Sequence, residues 1–307
     1  MCLKRCILSN MKKIKATILS LPMRIQYTIL ITIAIVLLIS SVITVNYAHN
    51  KDNMINTQIK NESAILALEL ENVEQYIRDL ISFSVQTRFD TRFMRLIESN
   101  TALPEQEIEY LKEVMKGNYY TRNDLLSLGL YMKNQNMYIG RDYKKQHFNV
   151  LEQISLNEED KNAFLECNNS DYYMCILPSD REDTLCTFYH SIIQIDNRSS
   201  NAIIKADIKK TVVNKLLTSP LENGKFAVIC YDNKLLFSGN SRLINSDNVL
   251  PEASDFAEGY SYITLQHEKY LVNYAKGNSY NVSIMSFTPY SAVTANLREL
   301  MWLSLLQ

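Results

Sequence analysis

The chain has 307 residues, of which 47% are hydrophobic and 21% charged, a composition that supports one or two domains with apolar cores. The formal net charge of −1 is unevenly spread: residues 1–24 hold six basic and no acidic side chains, and the remaining 26 basic and 33 acidic ones give a net charge of −7. A mildly acidic body lacks the basic face that nucleic-acid binding needs, which excludes nucleic acid as a partner.

An uncharged apolar segment, IQYTILITIAIVLLISSVITVNYA, follows over residues 25–48. About 20 apolar residues cross the hydrocarbon core of a bilayer, whereas a secretory signal has about 7–15 and a small-residue cleavage site, which NYAHNKD does not supply. We predict an uncleaved transmembrane helix. The basic residues before it place residues 1–24 in the cytoplasm and the bulk of the chain outside the plasma membrane.

Helix-forming residues continue beyond this segment, and neither proline nor glycine occurs between Pro22 and Pro104. Apolar residues recur from Ile55 to Leu80 at close to a 3.5-residue period. We therefore predict one long stalk helix over residues 49–99 that runs to about Ile97. The alternative is two helices that are broken near residues 50–53.

The same period defines an apolar stripe on the stalk helix, which can pack on a domain or pair with a second copy. We expect it to be the stripe of a homodimer. The stripe consists of Leu66, Leu70, Val73 and Ile77. A short helix over PEQEIEYLKEVMKGN follows, with Pro104 at its first position and Gly117 at its end.

Short strands dominate the next region, which we assign to a first module over residues 100–217. LLSLGLYMKN and NMYIGRD form a hairpin-like pair, VLEQISLNEEDKNAFLE has a helical pattern, and DYYMCILPS, TLCTFYHSIIQI and SNAIIKADI are further strands. KKTVVNKLLTS is a helix that leaves the last strand, and Asp207 stands where it can cap that helix.

The pattern repeats in reduced form over residues 218–290. GKFAVICYD and KLLFSGN pair across the turn at 232–233, and YSYITLQHE, KYLVNYAKG and YNVSIMSFTP follow with turns at Glu268–Lys269 and Gly277–Asn278. Residues 291–307 are predicted to be an exit helix and the start of a second, truncated transmembrane helix, in which Trp302 is an interfacial ring. The alternative is an amphipathic helix that docks on the body.

No catalytic or metal-binding motif stands out. The four histidines are never three or four residues apart, and the seven glycines never form a phosphate-binding loop. We therefore predict no catalytic residues, no metal and no cofactor in this chain. The outer cysteines allow a disulfide, with Cys167–Cys175 or Cys175–Cys186 as candidates, but buried free thiols in apolar strands are the simpler alternative.

The order of elements resembles the double Cache sensor region of bacterial membrane receptors. The resemblance is carried by the anchor joined to the long helix, by AIIKADIKKTVVNKLL, by FAVICYDNKLLFSG and by SIMSFTPYSAVTANLREL. It implies an α+β fold in which two PAS-like antiparallel-sheet modules, one membrane-distal and one membrane-proximal, hang on one long helix. The sequence pattern is most similar to that of Gram-positive two-component sensor histidine kinases truncated before their cytoplasmic output domains. Membrane-tethered helix-turn-helix regulators share a similar outer half.

The resemblance places a ligand cavity in the distal module, for a small molecule or peptide outside the cell. Its candidate lining residues are Tyr131, Tyr138, Arg141, Tyr173, Tyr189, His190 and Asp207. Half-buried sheet tyrosines, a solvated arginine and a helix-capping aspartate would explain the same residues without a ligand. Amino-acid-binding members carry a tyrosine–arginine–tryptophan signature, and the chain has no tryptophan before Trp302, which weakens amino acids as ligands.

Two other classes of function compete with the sensor. A membrane-anchored surface enzyme would need convergent acid and base groups, and pairs such as Glu158–Glu159 or Asp180–Glu182 have the pattern of solvated turns. An adhesion or scaffold protein would have a distal module that is packed solid.

Overall fold

The computed structural model describes residues 22–141, 147–152, 158–170, 172–179, 181–193, 200–218, 224–244 and 259–295. Contacts divide the chain into two units. One consists of residues 59–292, and the other consists of residues 1–58 and 293–307, of which 22–58 and 293–295 are described.

The first helix, α1, runs from Met23 to Gln86 without interruption at residues 50–53, so the alternative of two helices broken there is wrong. In its apolar part, large side chains such as Leu30, Leu37 and Val45 are about two-thirds exposed. Within the described residues it is the one helix long and apolar enough to cross a membrane, with a mean hydropathy of 2.7 in its most apolar stretch.

The prediction that this helix continues to Ile97 is wrong, because a break follows Gln86. A 3-10 turn over Thr87–Phe89 leads to Asp90, and a separate helix α2 spans Thr91–Glu98. Asp90 caps α2, since its carboxylate accepts hydrogen bonds from the backbone N–H groups of Arg92 and Phe93 at 2.9 and 3.0 Å. A good N-cap offers the backbone an alternative to continuing α1.

The short helix predicted next is α3, which spans Glu105–Tyr120. Two details differ from expectation. Pro104 is the N-cap residue rather than the first helical one, and Gly117 lies inside the helix, where a methyl group would meet no atom within 4 Å. The helix instead ends at Thr121, whose backbone N–H bonds to the carbonyl groups of Gly117 and Tyr119.

A six-stranded antiparallel sheet forms the first module, with strand order β3-β2-β1-β6-β5-β4. Its strands are β1 Leu125–Met132, β2 Met137–Arg141, β3 Phe148–Glu152, β4 Met174–Pro178, β5 Thr184–Ile193 and β6 Ser200–Lys209. The predicted hairpin is β1–β2. The helix predicted from VLEQ onwards is wrong at its start, because residues 148–152 pair with β2 as an edge strand and helix α4 covers only Glu158–Asn169.

Alternating side chains give this sheet two different faces. One face packs on α1, α2 and α3 in the main apolar core, where Leu80, Phe93, Leu111, Leu128 and Phe188 are fully buried. The opposite face meets α4. Every residue of β5 is buried, which agrees with its central position in this two-sided arrangement.

The helix predicted after β6 is shorter than expected: a 3-10 turn over Lys210–Val212 precedes α5, which spans only Val213–Leu216. The interpretation of Asp207 as its cap is wrong. Asp207 lies within β6, the N-cap position is Lys209, and no side chain caps this turn.

A five-stranded antiparallel sheet with order β8-β7-β11-β10-β9 forms the second module. Its strands are β7 Phe226–Tyr231, β8 Lys234–Ser238, β9 Tyr260–Leu265, β10 Glu268–Lys276 and β11 Val282–Pro289. The β7–β8 turn at Asp232–Asn233 has positive φ at both residues, as a two-residue hairpin requires.

The next hairpin turn, predicted at Glu268–Lys269, lies two residues earlier in the structure. Gln266 and His267 form it, with φ values of 45° and 71°, while Glu268 already pairs with Leu265 in the ladder. Residues 290–295 are helical, and the remainder of the predicted exit segment lies outside the described residues, as does the basic N-terminus before Pro22. The predicted α+β fold of a long apolar helix followed by two PAS-like antiparallel modules is confirmed.

The predicted dimer stripe is not a free surface. Leu66, Val73 and Ile77 are at most 5% exposed and belong to the core of their own chain, and Leu70 is half-buried against it. The 3.5-residue period therefore serves intramolecular packing, and a second copy would have to meet a different face of α1.

Candidate functional site

The face of the first sheet that meets α4 carries an unusual concentration of polar groups. Cross-strand register places Ser127 beside Asp207, Gly129 beside Lys205, and Asp207 beside Thr187. Because alternate residues share a face, the three central strands bring their polar side chains together. We call this set the sheet-face site. It consists of Ser127, Tyr131, Tyr138, Thr187, Tyr189, Lys205 and Asp207, with Asp160 of α4 and Arg181.

Asp160 joins α4 to the sheet. Its Oδ1 accepts hydrogen bonds from the Nζ of Lys205 and the phenol of Tyr189, each at 2.7 Å. Lys205 also lies 5.5 Å from the centre of the Tyr189 ring. Burial and the bond to Asp160 raise the pKa of Tyr189, so the phenol stays protonated and donates. An ammonium, a carboxylate and a phenol are thus held within reach of one another under one helix.

Asp207 is the second charged centre of the site and is 4% exposed. Its carboxylate accepts from Thr187 Oγ1 at 2.8 Å, from Ser127 Oγ at 2.7 Å and from Arg181 Nη1 at 2.8 Å. Three donors satisfy a buried carboxylate that would otherwise be costly to desolvate. Arg181 itself is half-exposed, so this pair reaches from the interior towards solvent.

Tyr131 and Tyr138 complete the site on the neighbouring strands, where they face each other across the β1–β2 ladder. Both are half-buried, and burial raises the pKa of Tyr131. The ring of Tyr138 lies over Gly129 and Gly140, and a Cβ at Gly129 would overlap the phenol. The two glycines therefore allow an aromatic ring to lie directly on the sheet backbone.

An apolar cluster forms the rest of this face. Ala163 and Cys167 of α4 pack with Cys175, Tyr189 and Ile203 of the sheet. Phe164, Leu177 and Tyr131 flank the cluster. Apolar walls with a few convergent polar groups are typical of small-molecule sites.

Three of the seven predicted residues lie elsewhere. His190 faces the α1 side, where its Nδ1 is 2.9 Å from Ser84 Oγ and its ring stacks on Phe188. Arg141 lies on the same side, with its guanidinium 4.6 Å from the centre of the Tyr119 ring. Tyr173 occupies a turn with a φ of 52° and is half-buried. Tyr131, Tyr138, Tyr189 and Asp207 are the four that share the site.

Sequence reasoning named Asp207 but missed its charged companions in the site, which are Lys205, Asp160 and Arg181. Lys205 and Asp207 are two residues apart in AIIKADI, so a charged pair on one face of an otherwise apolar strand was a visible signal. Asp160 and Arg181 gave no such signal, because only the folded chain brings them to β6.

A cavity of about 740 Å³ lies elsewhere, between the two modules of the same unit. It is lined by Leu126, Lys209, Lys210, Thr211, Asn214 and Phe237, among others. Glu182 and Asp183 add two acidic side chains to its two lysines, so its charge is balanced. This cavity is the alternative place for a ligand in the chain.

Among the residues that the structure describes, no group of three or more histidine, cysteine or acidic side chains could hold a metal ion. The cysteines in the described part of the chain are free thiols, and all of them are buried: Cys167, Cys175, Cys186 and Cys230.

Comparison with known proteins finds no matching family model and no matching curated protein. Solved structures share the fold. The ligand-binding domain of the Campylobacter jejuni chemoreceptor Tlp3 in complex with L-norvaline is 14% identical with a TM-score of 0.55, and the alignment covers 78% of this chain and 94% of that one. The ligand-binding domain of the Pseudomonas fluorescens chemoreceptor CtaA in complex with L-isoleucine is 11% identical with a TM-score of 0.56, covering 80% and 98%.

The extracellular domain of soHK1S-Z6, a protein described as a histidine kinase, is 12% identical with a TM-score of 0.55. The alignment covers 80% of this chain and 99% of that one. These likenesses establish the fold of the chain, a long helix followed by two antiparallel-sheet modules.

Proposed function

We propose that the chain is the ligand-sensing region of a membrane-bound signal-transduction receptor, anchored by residues 25–48 with residues beyond about 49 outside the cell. The observation that carries the proposal is the sheet-face site: a partly buried, charge-balanced polar cluster on the α4 side of the first sheet, in a fold shared with receptor sensor domains. A scaffold or adhesion module has no need to bury the Asp207 carboxylate and to hold Asp160 and Lys205 as a half-buried ion pair on the same face of the sheet, which is costly without a purpose.

The balance of charges indicates the class of ligand. Lys205 and Arg181 are cationic and Asp160 and Asp207 are anionic, so the site has no net charge. A zwitterion or a neutral polyhydroxy compound can replace these internal hydrogen bonds without leaving an uncompensated buried charge. A small organic molecule of this kind is therefore our proposed ligand.

The long helix offers a route by which binding could be transmitted. Three polar side chains of α1, seven residues apart, fasten it to successive parts of the unit: Tyr76 donates to Asp124 at 2.6 Å, Glu69 accepts from the N–H of Thr218 at 2.9 Å, and Glu62 pairs with Lys225 at 2.8 Å. We call these three residues the polar ladder. Asp124 lies just before β1, which carries part of the sheet-face site.

A ligand shifts such a system only by its differential affinity for two arrangements, and a change from 1:99 to 99:1 takes about 5.5 kcal/mol. Occupation of the sheet-face site would bias the position of β1 and β6, and the polar ladder would bias α1 in turn.

Thermal-shift screening of the full chain in detergent tests the binding proposal. The library contains amino acids, organic acids, sugars and short peptides. A ligand at one hundred times its dissociation constant stabilises the folded state by about 2.7 kcal/mol, which gives a measurable rise in Tm. We expect Lys205→Met to abolish the shift and Lys210→Met, which alters only the cavity between the modules, to retain it. The reverse pattern would move the site to that cavity, and a library without hits would favour a scaffold.

Two further measurements test the receptor proposal. Protease added to intact cells should cleave the acidic bulk of the chain, and protection until lysis would contradict the outer location. The reading frame downstream of codon 307 tests the output, for which we propose a histidine kinase of the two-component type. A DNA-binding frame there would instead assign the chain to membrane-tethered transcription regulators.

A further inference from the structure

Two cysteines meet at the centre of the contact between α4 and the sheet. Cys167 lies on α4 and Cys175 on β4, and their Sγ atoms are 3.0 Å apart. Their relative exposures are 0% and 1%. Cys175 Sγ also lies 3.5 Å from the carbonyl oxygen of Ala163, and Cys167 Sγ 3.6 Å from that of Tyr189. An S–S bond of about 2.05 Å would require the two sulfurs to approach by only about 1 Å.

The other described cysteines do not share this arrangement. The ladder places Cys175 beside Tyr189, while Cys186 stands beside Pro178. Cys186 packs in the main core on the opposite face of the same sheet, and Cys230 belongs to the second sheet. The sequence-based alternative of a Cys175–Cys186 bond is therefore excluded by geometry.

We propose that Cys167 and Cys175 form a redox-active dithiol pair, whose oxidation to a disulfide fastens α4 onto the sheet-face site. The oxidant is another disulfide, either on a small molecule or on an oxidoreductase outside the cell. One cysteine thiolate attacks a sulfur of the oxidant and releases a thiol, and the second cysteine then resolves the mixed disulfide. The pair loses two protons and two electrons, and the oxidant gains them as two thiols.

Burial controls when this exchange can happen. The hydrogen bond that Cys167 donates to Cys175, together with burial, raises the pKa of Cys167, and neither sulfur is exposed, so the docked pair offers an oxidant little thiolate from Cys167. The reaction therefore requires α4 to leave the sheet, as it does during folding or local opening. Once formed, the bond closes a short loop between residues 167 and 175 and opposes further opening.

The bond would act directly on the site. Asp160 stands two turns before Cys167 on α4 and holds Lys205 and Tyr189 at 2.7 Å. In the oxidised chain α4 cannot leave the sheet, so Asp160 stays beside Lys205. In the reduced chain the helix is held by packing and by these hydrogen bonds alone. The oxidation state of the pair thus sets how freely a ligand can enter under α4.

Thiol counting on the full chain tests the proposal independently of any ligand or membrane topology. The chain is refolded in detergent with oxidised glutathione, denatured without reductant and alkylated with N-ethylmaleimide. Of the six cysteines, four should be alkylated, and all six after reduction. Peptide mapping should join 167 to 175. Six adducts without reductant, or a bond between other cysteines, would overturn the proposal.

Thermal unfolding gives a second readout. We expect oxidation to raise the Tm of the unsubstituted chain by about 5 °C. Cys167→Ser and Cys175→Ser should each abolish the rise, while the matched control Cys230→Ser should keep it. An equal Tm for the oxidised and reduced unsubstituted chain would show that the bond does not restrain α4, and this comparison holds even if a variant fails to fold.

Discussion

Asp207 is the residue in the sheet-face site whose environment is most demanding. Two hydroxyl groups and one guanidinium donate to a carboxylate that is almost fully buried. Asp207→Asn keeps the volume of the side chain but replaces one carboxylate oxygen with an NH2 group, which would face the donors that the carboxylate now accepts from. We expect a loss of about 2 kcal/mol in the free energy of unfolding, measured with urea.

Glu182→Gln is the matched control for this variant, since it removes a charge from an exposed side chain near Arg181. It should change the unfolding free energy by less than about 0.5 kcal/mol. If Asp207→Asn were equally mild, the buried carboxylate would not be a constrained part of the fold.

His190 makes the stability of the chain depend on pH. Burial, with a smaller contribution from the charge of Arg88, lowers the pKa of His190 to about 3. The unfolded chain binds a proton near pH 6.5 and the folded chain does not, so stability is complete above that pH and declines as the pH falls towards 3. We expect His190 to account for a loss of about 2 kcal/mol between about pH 7.5 and pH 5.

Urea unfolding at the two pH values measures this loss. His190→Gln removes the titrating group and should make the dependence shallower by the same amount. His267→Asn, in the exposed hairpin turn, should leave it unchanged. If the pH dependence of His190→Gln were identical to that of the unsubstituted chain, His190 would bind its proton equally well in the folded and the unfolded state.

At the scale of elements, the polar ladder of α1 links the helix to three separate parts of its unit. Glu62 is 5% exposed, and its carboxylate bonds to Lys225 and, at 3.2 Å, to Ser286. Removing one partner of a buried ion pair leaves the other charge uncompensated. Glu62→Gln should therefore lower the free energy of unfolding by about 3 kcal/mol, with Glu71→Gln on the exposed side of α1 as the control.

The double variant Glu62→Gln, Lys225→Met distinguishes the contribution of the ion pair from that of the other contacts of Glu62. Because both charges are then absent, it should be more stable than Glu62→Gln alone. In a signalling assay on the complete receptor we expect both variants to weaken the response to ligand. Additive effects on stability would mean that the two side chains are not coupled.

Elements were predictable from sequence where a local pattern and the fold agree. The absence of proline and glycine marks the length of α1, and the apolar alternation marks the strands. The break at Asp90 could not be predicted because TRFDTRF contains no residue that forbids a helix. The backbone N–H groups there can be satisfied either by continuing α1 or by the Asp90 side chain, and the local sequence does not decide between the two. The parity of β5 was visible but overlooked: Tyr189 and His190 are neighbours in a strand and cannot share a face.

The site was predictable only in part, for the same reason. Tyr131, Tyr189 and Asp207 follow from alternation within strands that the sequence identifies. The contact of Asp160 with Lys205 joins residues 45 positions apart, and nothing in either local segment indicates the other. Long-range pairs of this kind are set by the order of strands in the sheet, which is a property of the whole module.

At the scale of the whole molecule, the position of the apolar stripe restricts how two copies could associate. Leu66 is 1% exposed within its own chain, whereas Leu68 is 60% exposed on the other side of α1. We expect a homodimer to use the face that contains Ala64, Leu68, Glu71 and Gln75, which are exposed at helical spacing.

Cysteine cross-linking in membranes tests this expectation. In a background without native cysteines, Leu68→Cys should give a disulfide-linked dimer on oxidation, and Leu66→Cys should not. Cross-linking from position 66 but not 68 would restore the stripe that the sequence favours. Failure of both, together with a monomeric mass in detergent, would exclude a dimer through α1.

The two glycines beneath the ring of Tyr138, Gly129 and Gly140, limit which substitutions this face of the sheet can accept. Any larger residue at 129 or 140 would push the Tyr138 ring away from the strands and into the space that the proposed ligand would occupy. A single added methyl group at either glycine could therefore change which small molecules fit the site without contacting them, because it would move the Tyr138 ring.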